Sequence, residues 1–129
     1  KDKKVIARFS TNKEIKIYGS GNQTRTYCYI TDAIEGFLGV ISMGKPGETY
    51  NIGNDKPEID MTDLYKIIKN NINQKIKFKN INYPKNYPQV EPQRRCPNIN
   101  KIKKELNFRN NVGIEEAVKR FYNWSKKYY

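Results

Sequence analysis

The chain holds few residues able to carry chemistry, and the most suggestive of them sit together in Tyr18-Gly19-Ser20-Gly21-Asn22-Gln23-Thr24-Arg25. Two glycines around a serine, followed by amides and a hydroxyl, make a loop of the composition that wraps phosphate. The dinucleotide fingerprint GxGxxG needs a third glycine, however, and position 24 is threonine. Other chemistry is thinly supplied. Histidine is absent, which removes the commonest metal ligand and the usual base for a serine nucleophile, so Ser10, Ser20, Ser42 and Ser125 have no triad partner. Cys28 and Cys96 lie far apart with no zinc or redox spacing and read as reduced thiols. Glu115 and Glu116 are adjacent, diverge on a helix, and read as an exposed first turn. Tyr65 to Lys69 and Tyr122 to Lys126 fit the Tyr-x-x-x-Lys pattern. In a chain this rich in both residues, about one such match is expected by chance. Both lie at i, i+4 on ordinary amphipathic helices, so neither is expected to be catalytic.

The elements that would position these residues follow from periodicity. Ile15-Lys16-Ile17-Tyr18 alternates and is β-branched, which predicts a short strand before the glycine loop. Thr26 to Ile30 reads as a second extended piece. Thr31 and Asp32 offer an N-cap, with Glu35 three residues beyond Asp32 as in a capping box. The helix they start places Ile34, Phe37, Leu38 and Ile41 on one apolar face, and Gly44 ends it. Thr49 to Ile52 predicts a strand ending at Gly53-Asn54. Asp60 caps a helix with Met61, Leu64, Ile68 and Ile72 on its face. Lys75 to Ile81 alternates as a strand. A long loop marked by Pro84, Pro88, Pro92 and Pro97 follows, of the kind that is functional or disordered and is expected to be mobile without ligand. Ile99, Ile102 and Leu106 predict a short helix. Ile114, Ala117, Val118 and Phe121 predict a last one that runs to Trp124. The expectation is an α/β fold of short mixed strands with three or four helices, one domain over residues 1–129.

Charge narrows the partners. The formal net charge is +12, and residues 61–129 hold 16 of the 25 basic side chains against 5 of the 13 acidic ones. A basic half fits an anionic partner, either a polyanion such as nucleic acid or a smaller anionic ligand. It fits equally a solvated surface in a chain rich in Lys, Asn and Ile, because the lysines are spread over helix and strand faces. No run of 18 apolar residues is present, so no membrane span is expected. No basic-then-apolar leader opens the chain, and a cytoplasmic protein is expected.

Four blocks in order carry a resemblance. Ile17 to Asp32 resembles the VYG-G-QTR-F-YV-D segment of extended short-chain dehydrogenases, the NAD-dependent epimerase/dehydratase family. Tyr50-Asn51-Ile52-Gly53-Asn54 resembles the NLGN strand end of that family. Pro92-Gln93-Arg94-Arg95-Cys96-Pro97-Asn98-Ile99 resembles its P-x-R-x-PDI block, followed by Lys101 to Phe108. Gly113-Ile114-Glu115-Glu116-Ala117 resembles its LEEGL block. The look is closest to UDP-glucuronate decarboxylases, with 4-epimerases and 4,6-dehydratases of nucleotide sugars nearby. Asn98 stands where the family usually has Asp, and Cys96 where a basic residue is common.

This resemblance implies the C-terminal, substrate-binding part of such an enzyme, without the main Rossmann sheet. NAD, its glycine-rich loop and the catalytic Tyr-x-x-x-Lys would belong to an N-terminal Rossmann half upstream of Lys1, and the chain alone would be inactive. Lys1 to Phe9 would be the helix before the first strand, and the full enzyme would be a homodimer. The family chemistry implied is oxidation at the sugar C4 with hydride passing to NAD. The reaction that follows is left open. The implied ligand is a UDP- or dTDP-linked sugar. Its two phosphates suit planar guanidinium groups, which grip oxygens bidentately where lysine offers a point charge. Arg25 and Arg95 are the pair expected to form that clamp, and Tyr18 and Gln23 are expected beside the nucleotide. The alternative is a free-standing basic module for nucleic acid or another polyanion.

Overall fold

The computed structural model describes residues 14–87 and 92–128. Among these residues are four short strands and four helices: β1 (Ile15–Tyr18), β2 (Thr24–Arg25), α1 (Ile30–Met43), α2 (Met61–Asn71), β3 (Phe78–Ile81), β4 (Arg94–Arg95), α3 (Asn100–Leu106) and α4 (Ile114–Tyr128). The expected mixed α/β fold is present. The expected helix over Lys1 to Phe9 lies outside the described residues, as do positions 88–91 of the proline-marked loop. The elements group into two compact units.

The first unit contains the described residues of Lys1–Gln23, Asp60–Gln93 and Glu115–Tyr129. β1 pairs in parallel with β3, Ile15 opposite Phe78 and Tyr18 opposite Ile81. The connection between them includes α2, as a parallel pair requires. Asp60 caps α2 as expected, its carboxylate accepting from the Asp63 amide at 2.7 Å. The apolar face of α2 closes over the sheet: Ile17, Tyr65 and Ile76 are buried, with Met61, Ile68 and Ile72 packed against them. Tyr65 donates its hydroxyl to the Ile76 carbonyl at 2.8 Å, and Lys69 extends over its ring. Lys126 likewise lies over Tyr122, 4.4 Å from the ring centre. Both Tyr-x-x-x-Lys matches are thus ordinary helix-face neighbours.

The second unit comprises Thr24–Ile59 and Arg94–Ile114. Its core is Ile99, Ile102 and Phe108, with Val40, Tyr50, Ile52 and Leu106 packed around them. α1 reaches this core through Gly36, where an added Cβ would lie 2.8 Å from both Ile52 Cγ2 and Phe108 Cε2. Three expectations change here. First, α1 starts at Ile30 with Tyr29 at its N-cap and no side-chain cap bond, so the capping box does not form. Asp32 is buried inside the first turn instead, and its Oδ2 accepts from the amides of Asn111 and Val112, each at 3.1 Å. A carboxylate held that way serves the tertiary fold rather than the helix end. Second, the apolar face of Ile34, Phe37, Leu38 and Ile41 points to solvent, while Gly36 and Asp32 are buried. Third, Thr49 to Ile52 forms no ladder among the described residues, because no neighbouring strand is there to accept it.

Candidate functional site

The glycine loop is built for its own unit. Gly19 has φ +68°, and an added Cβ would meet the Tyr83 ring at 2.7 Å. Side chains of Ile17 and Thr62 take the space beside Gly21. Asn80 donates its amide to the carbonyls of Gly19 and Ser20, at 2.8 and 3.0 Å, and the Met61 amide donates to the Gly21 carbonyl at 3.0 Å. The glycines therefore permit a positive-φ turn against tyrosine and threonine.

Two of the residues singled out in the sequence belong to this first unit. Tyr18 stacks on Tyr83, ring centres 5.9 Å apart, and Tyr87 lies 5.8 Å from it and 4.7 Å from Tyr83. Gln23 is buried, and its side-chain amide donates to the Tyr18 carbonyl at 3.3 Å.

The other two belong to the second unit and are brought together there. β2 and β4 run parallel with Thr24 opposite Arg94 and Arg25 opposite Arg95. Successive side chains of a strand leave on opposite faces. One face of this ribbon therefore presents Thr24 and Arg94, and the other Arg25 and Arg95. Glu58 ties the first face: the Thr24 hydroxyl donates to its Oε1, and Arg94 donates Nε and Nη2 to Oε2 at 3.1 and 2.8 Å. These bonds hold the Glu58 carboxyl below its ordinary value, the Thr24 hydroxyl first and the Arg94 guanidinium next. Backbone bonds in both directions between Arg25 and Ile59, at 2.9 and 3.0 Å, fix the segment carrying Glu58.

Arg25 is half-buried, and its Nη1 donates to the Thr24 carbonyl at 2.7 Å, while Arg95 is exposed. Both line a cleft of about 550 Å³ with Arg94, Cys28, Cys96, Gly53 and Asn54 among its other walls. Asn54 is buried at the floor of its segment, donating to the Tyr27 carbonyl at 3.2 Å and accepting from the Lys56 amide at 3.3 Å. Two guanidinium groups beside backbone polar groups in an open cleft can grip an anion with more than one oxygen. Burial pushes the Cys28 thiol up, and the Asp32 charge pushes it further, which makes it a poor nucleophile. Among the described residues no cluster of three or more metal-ligating side chains occurs, and no helix is long and apolar enough to cross a membrane.

Sequence reasoning missed Glu58. The one hint was an acidic residue that could pair with the Arg94-Arg95 dipeptide, and 36 residues of separation hid it. A few lysines are held in local ion pairs. Lys45 meets Glu105, Lys66 meets Asp63, Lys101 meets Glu48 and Lys103 meets Asp55.

Residues 3–53 match the model of the NAD dependent epimerase/dehydratase family. The chain is 35% identical over 117 residues to UDP-glucuronate 4-epimerase of Thermodesulfobacterium geofontis, covering 89% of this chain and 34% of that protein. It is 29% identical to UDP-glucuronic acid decarboxylase 1 of Arabidopsis thaliana, over 89% of this chain and 25% of that protein. Among solved structures it matches a UDP-glucuronic acid 4-epimerase mutant from Bacillus cereus, in complex with UDP-4-deoxy-4-fluoro-glucuronic acid and NAD. The TM-score is 0.84 at 25% identity, over 96% of this chain and 38% of that one. The chain thus spans about a quarter to two-fifths of the length of these relatives.

Proposed function

The chain belongs to the NAD-dependent epimerase/dehydratase family, and we propose that it is the nucleotide-sugar-binding part of an enzyme that modifies a UDP- or dTDP-linked sugar. The observation that carries this reading is the register of β2 against β4, which sets Arg25 and Arg95 side by side on one face of the ribbon. The two guanidinium groups clamp the diphosphate, while Glu58 holds Arg94 on the other face and keeps the ribbon rigid. Gly53 and Asn54 form the neighbouring wall of the cleft.

NAD and the catalytic tyrosine come, in this proposal, from the part of the enzyme that lies outside the present match. The proposed reaction is decarboxylation, which the sequence blocks suggested, or the 4-epimerisation to whose enzyme the chain is more alike, at 35% identity against 29%, with dehydration the further member of the set. The full enzyme is proposed to be a cytoplasmic homodimer. A basic module for nucleic acid is the reading the family resemblance does not favour.

Titration of the chain with UDP, dTDP and a short single-stranded oligonucleotide at low and high salt tests the proposal. Saturable binding of a nucleoside diphosphate with a shallow salt dependence is expected. Tight oligonucleotide binding that falls steeply with salt, with no diphosphate binding, would overturn it.

A further inference from the structure

The second unit holds another pocket, of about 370 Å³, that shares only Asn54 with the cleft lined by Arg25 and Arg95. Its charged walls are Lys56, Lys103, Arg109 and Asp55, an excess of two positive charges. Lys103, on α3, donates to Asp55 Oδ2 at 2.6 Å, and an ammonium with three donors keeps two for a ligand. Lys56 and Arg109 are exposed, and neither meets a carboxylate oxygen at ion-pair distance among the described residues. The Arg109 Nη2 reaches only the Asn107 Oδ1, at 3.4 Å. The Lys103 hydrogen bond, and then the charges of Lys103 and Lys56, hold the Asp55 carboxyl below its ordinary value, so the pocket keeps its one acid ionised.

The walls are tied in place before any ligand arrives. Asn110 donates to the Gly53 carbonyl at 3.0 Å, which joins the loop after α3 to the segment carrying Asp55 and Lys56. Asn54 accepts from the Lys56 amide at 3.3 Å. One polar atom is left over: Asp55 Oδ1 is buried and has no hydrogen-bond partner among the described residues. A buried acceptor without a donor is rare. The terminal torsion of an aspartate is broad, so a modest turn offers that oxygen to a ligand hydroxyl while Lys103 keeps the other.

We propose that this pocket is a second anion site, which takes a phosphate monoester of a small hydroxylated molecule. The phosphate lies among Lys56, Lys103 and Arg109, and the hydroxylated body faces Asp55 and the amide of Asn107. A guanidinium and two ammonium groups suit the several oxygens of a phosphate. The volume is that of a small-molecule site, large for a bare ion and small for a polymer. Lys56 and Arg109 lie in none of the four blocks that carry the family resemblance, so the site belongs to this chain. It stands whether or not the clamp binds UDP.

Titration of the isotope-labelled chain with β-glycerophosphate, inorganic phosphate and glycerol, read at the backbone amides by NMR, tests the proposal. β-Glycerophosphate is expected to shift Lys56, Lys103 and Arg109 saturably, inorganic phosphate to bind more weakly, and glycerol to shift none of them. Arg109→Ala and Lys56→Ala should each weaken β-glycerophosphate binding by at least about fivefold. Arg25→Ala should bind it as wild type does, as should Lys104→Ala, which removes an exposed charge of α3 that does not line the pocket. The absence of saturable shifts at these amides would overturn the proposal. So would binding lost in Arg25→Ala, which would return the anion to the clamp, or an equal loss in Lys104→Ala, which would show general attraction to a basic surface. Inorganic phosphate binding as tightly as β-glycerophosphate would overturn the assignment of a monoester.

Discussion

Asp32 offers the sharpest test of how the second unit is held together. Its side chain is 2% exposed, and one carboxylate oxygen accepts two backbone amides, from Asn111 and Val112, that have left the regular hydrogen-bonding of α3 and not yet entered α4. Asp32→Ala strands both amides away from water. Each orphaned donor costs about 1–3 kcal/mol, so the pair places the loss near ~3 kcal/mol. For a chain of this size that corresponds to a fall in Tm of about 10 °C. Asp32→Asn keeps an acceptor oxygen in place and should lose only about a third as much. Thr31→Ala, at the exposed neighbouring position, should stay within about 0.5 kcal/mol of wild type, because α1 begins one residue earlier without a side-chain cap. Thermal and urea unfolding followed by far-UV circular dichroism measures all three. An Asp32→Ala protein as stable as wild type, or a Thr31→Ala protein that loses more than Asp32→Ala, would refute the argument and restore the capping role.

Gly36→Ala gains about 1 kcal/mol of helix propensity but forces a methyl to within 2.8 Å of Ile52 and Phe108. Overpacking of that kind costs about 1–3 kcal/mol, so a net loss near 1 kcal/mol is expected in urea unfolding. The lowered Glu58 carboxyl predicts stability that is complete above the ordinary glutamate value of 4.5 and is lost as pH falls through the depressed value. Glu58→Gln should flatten the acid limb of a Tm-against-pH curve while leaving it parallel to wild type at neutral pH. An unchanged acid limb would show that the carboxylate does not hold the ribbon.

What the sequence disclosed was local. The strand Ile15–Tyr18 and the Asp60 cap are written in runs of a few residues, where alternation and a capping carboxylate act directly on the backbone. The outward face of α1 was invisible for the opposite reason. An apolar stripe announces that it will be covered and does not say by what, whereas the face that is buried relies on Gly36 and Asp32, residues that hydrophobic periodicity ignores. The capping signal at Asp32 misled because the same carboxylate that can accept a helix amide can accept one from a loop 79 residues away. β4 could not be seen within its proline-marked loop, since a two-residue strand exists only through its partner, and β2 is 70 residues distant in the chain. Family resemblance, and not pattern, brought Arg25 and Arg95 together before the structure did. The resemblance was silent on Glu58, which belongs to neither block.

The central claim is that Arg25 and Arg95 grip a diphosphate, and calorimetric titration with UDP and with uridine measures it most directly. Each charge-assisted contact is worth about 1.5–3 kcal/mol, so Arg25→Ala and Arg95→Ala should each weaken UDP binding by roughly 10- to 100-fold. Uridine, which lacks the phosphates, should bind the variants as it binds wild type. UDP affinity that survives either substitution, or a loss for uridine equal to that for UDP, would contradict the account.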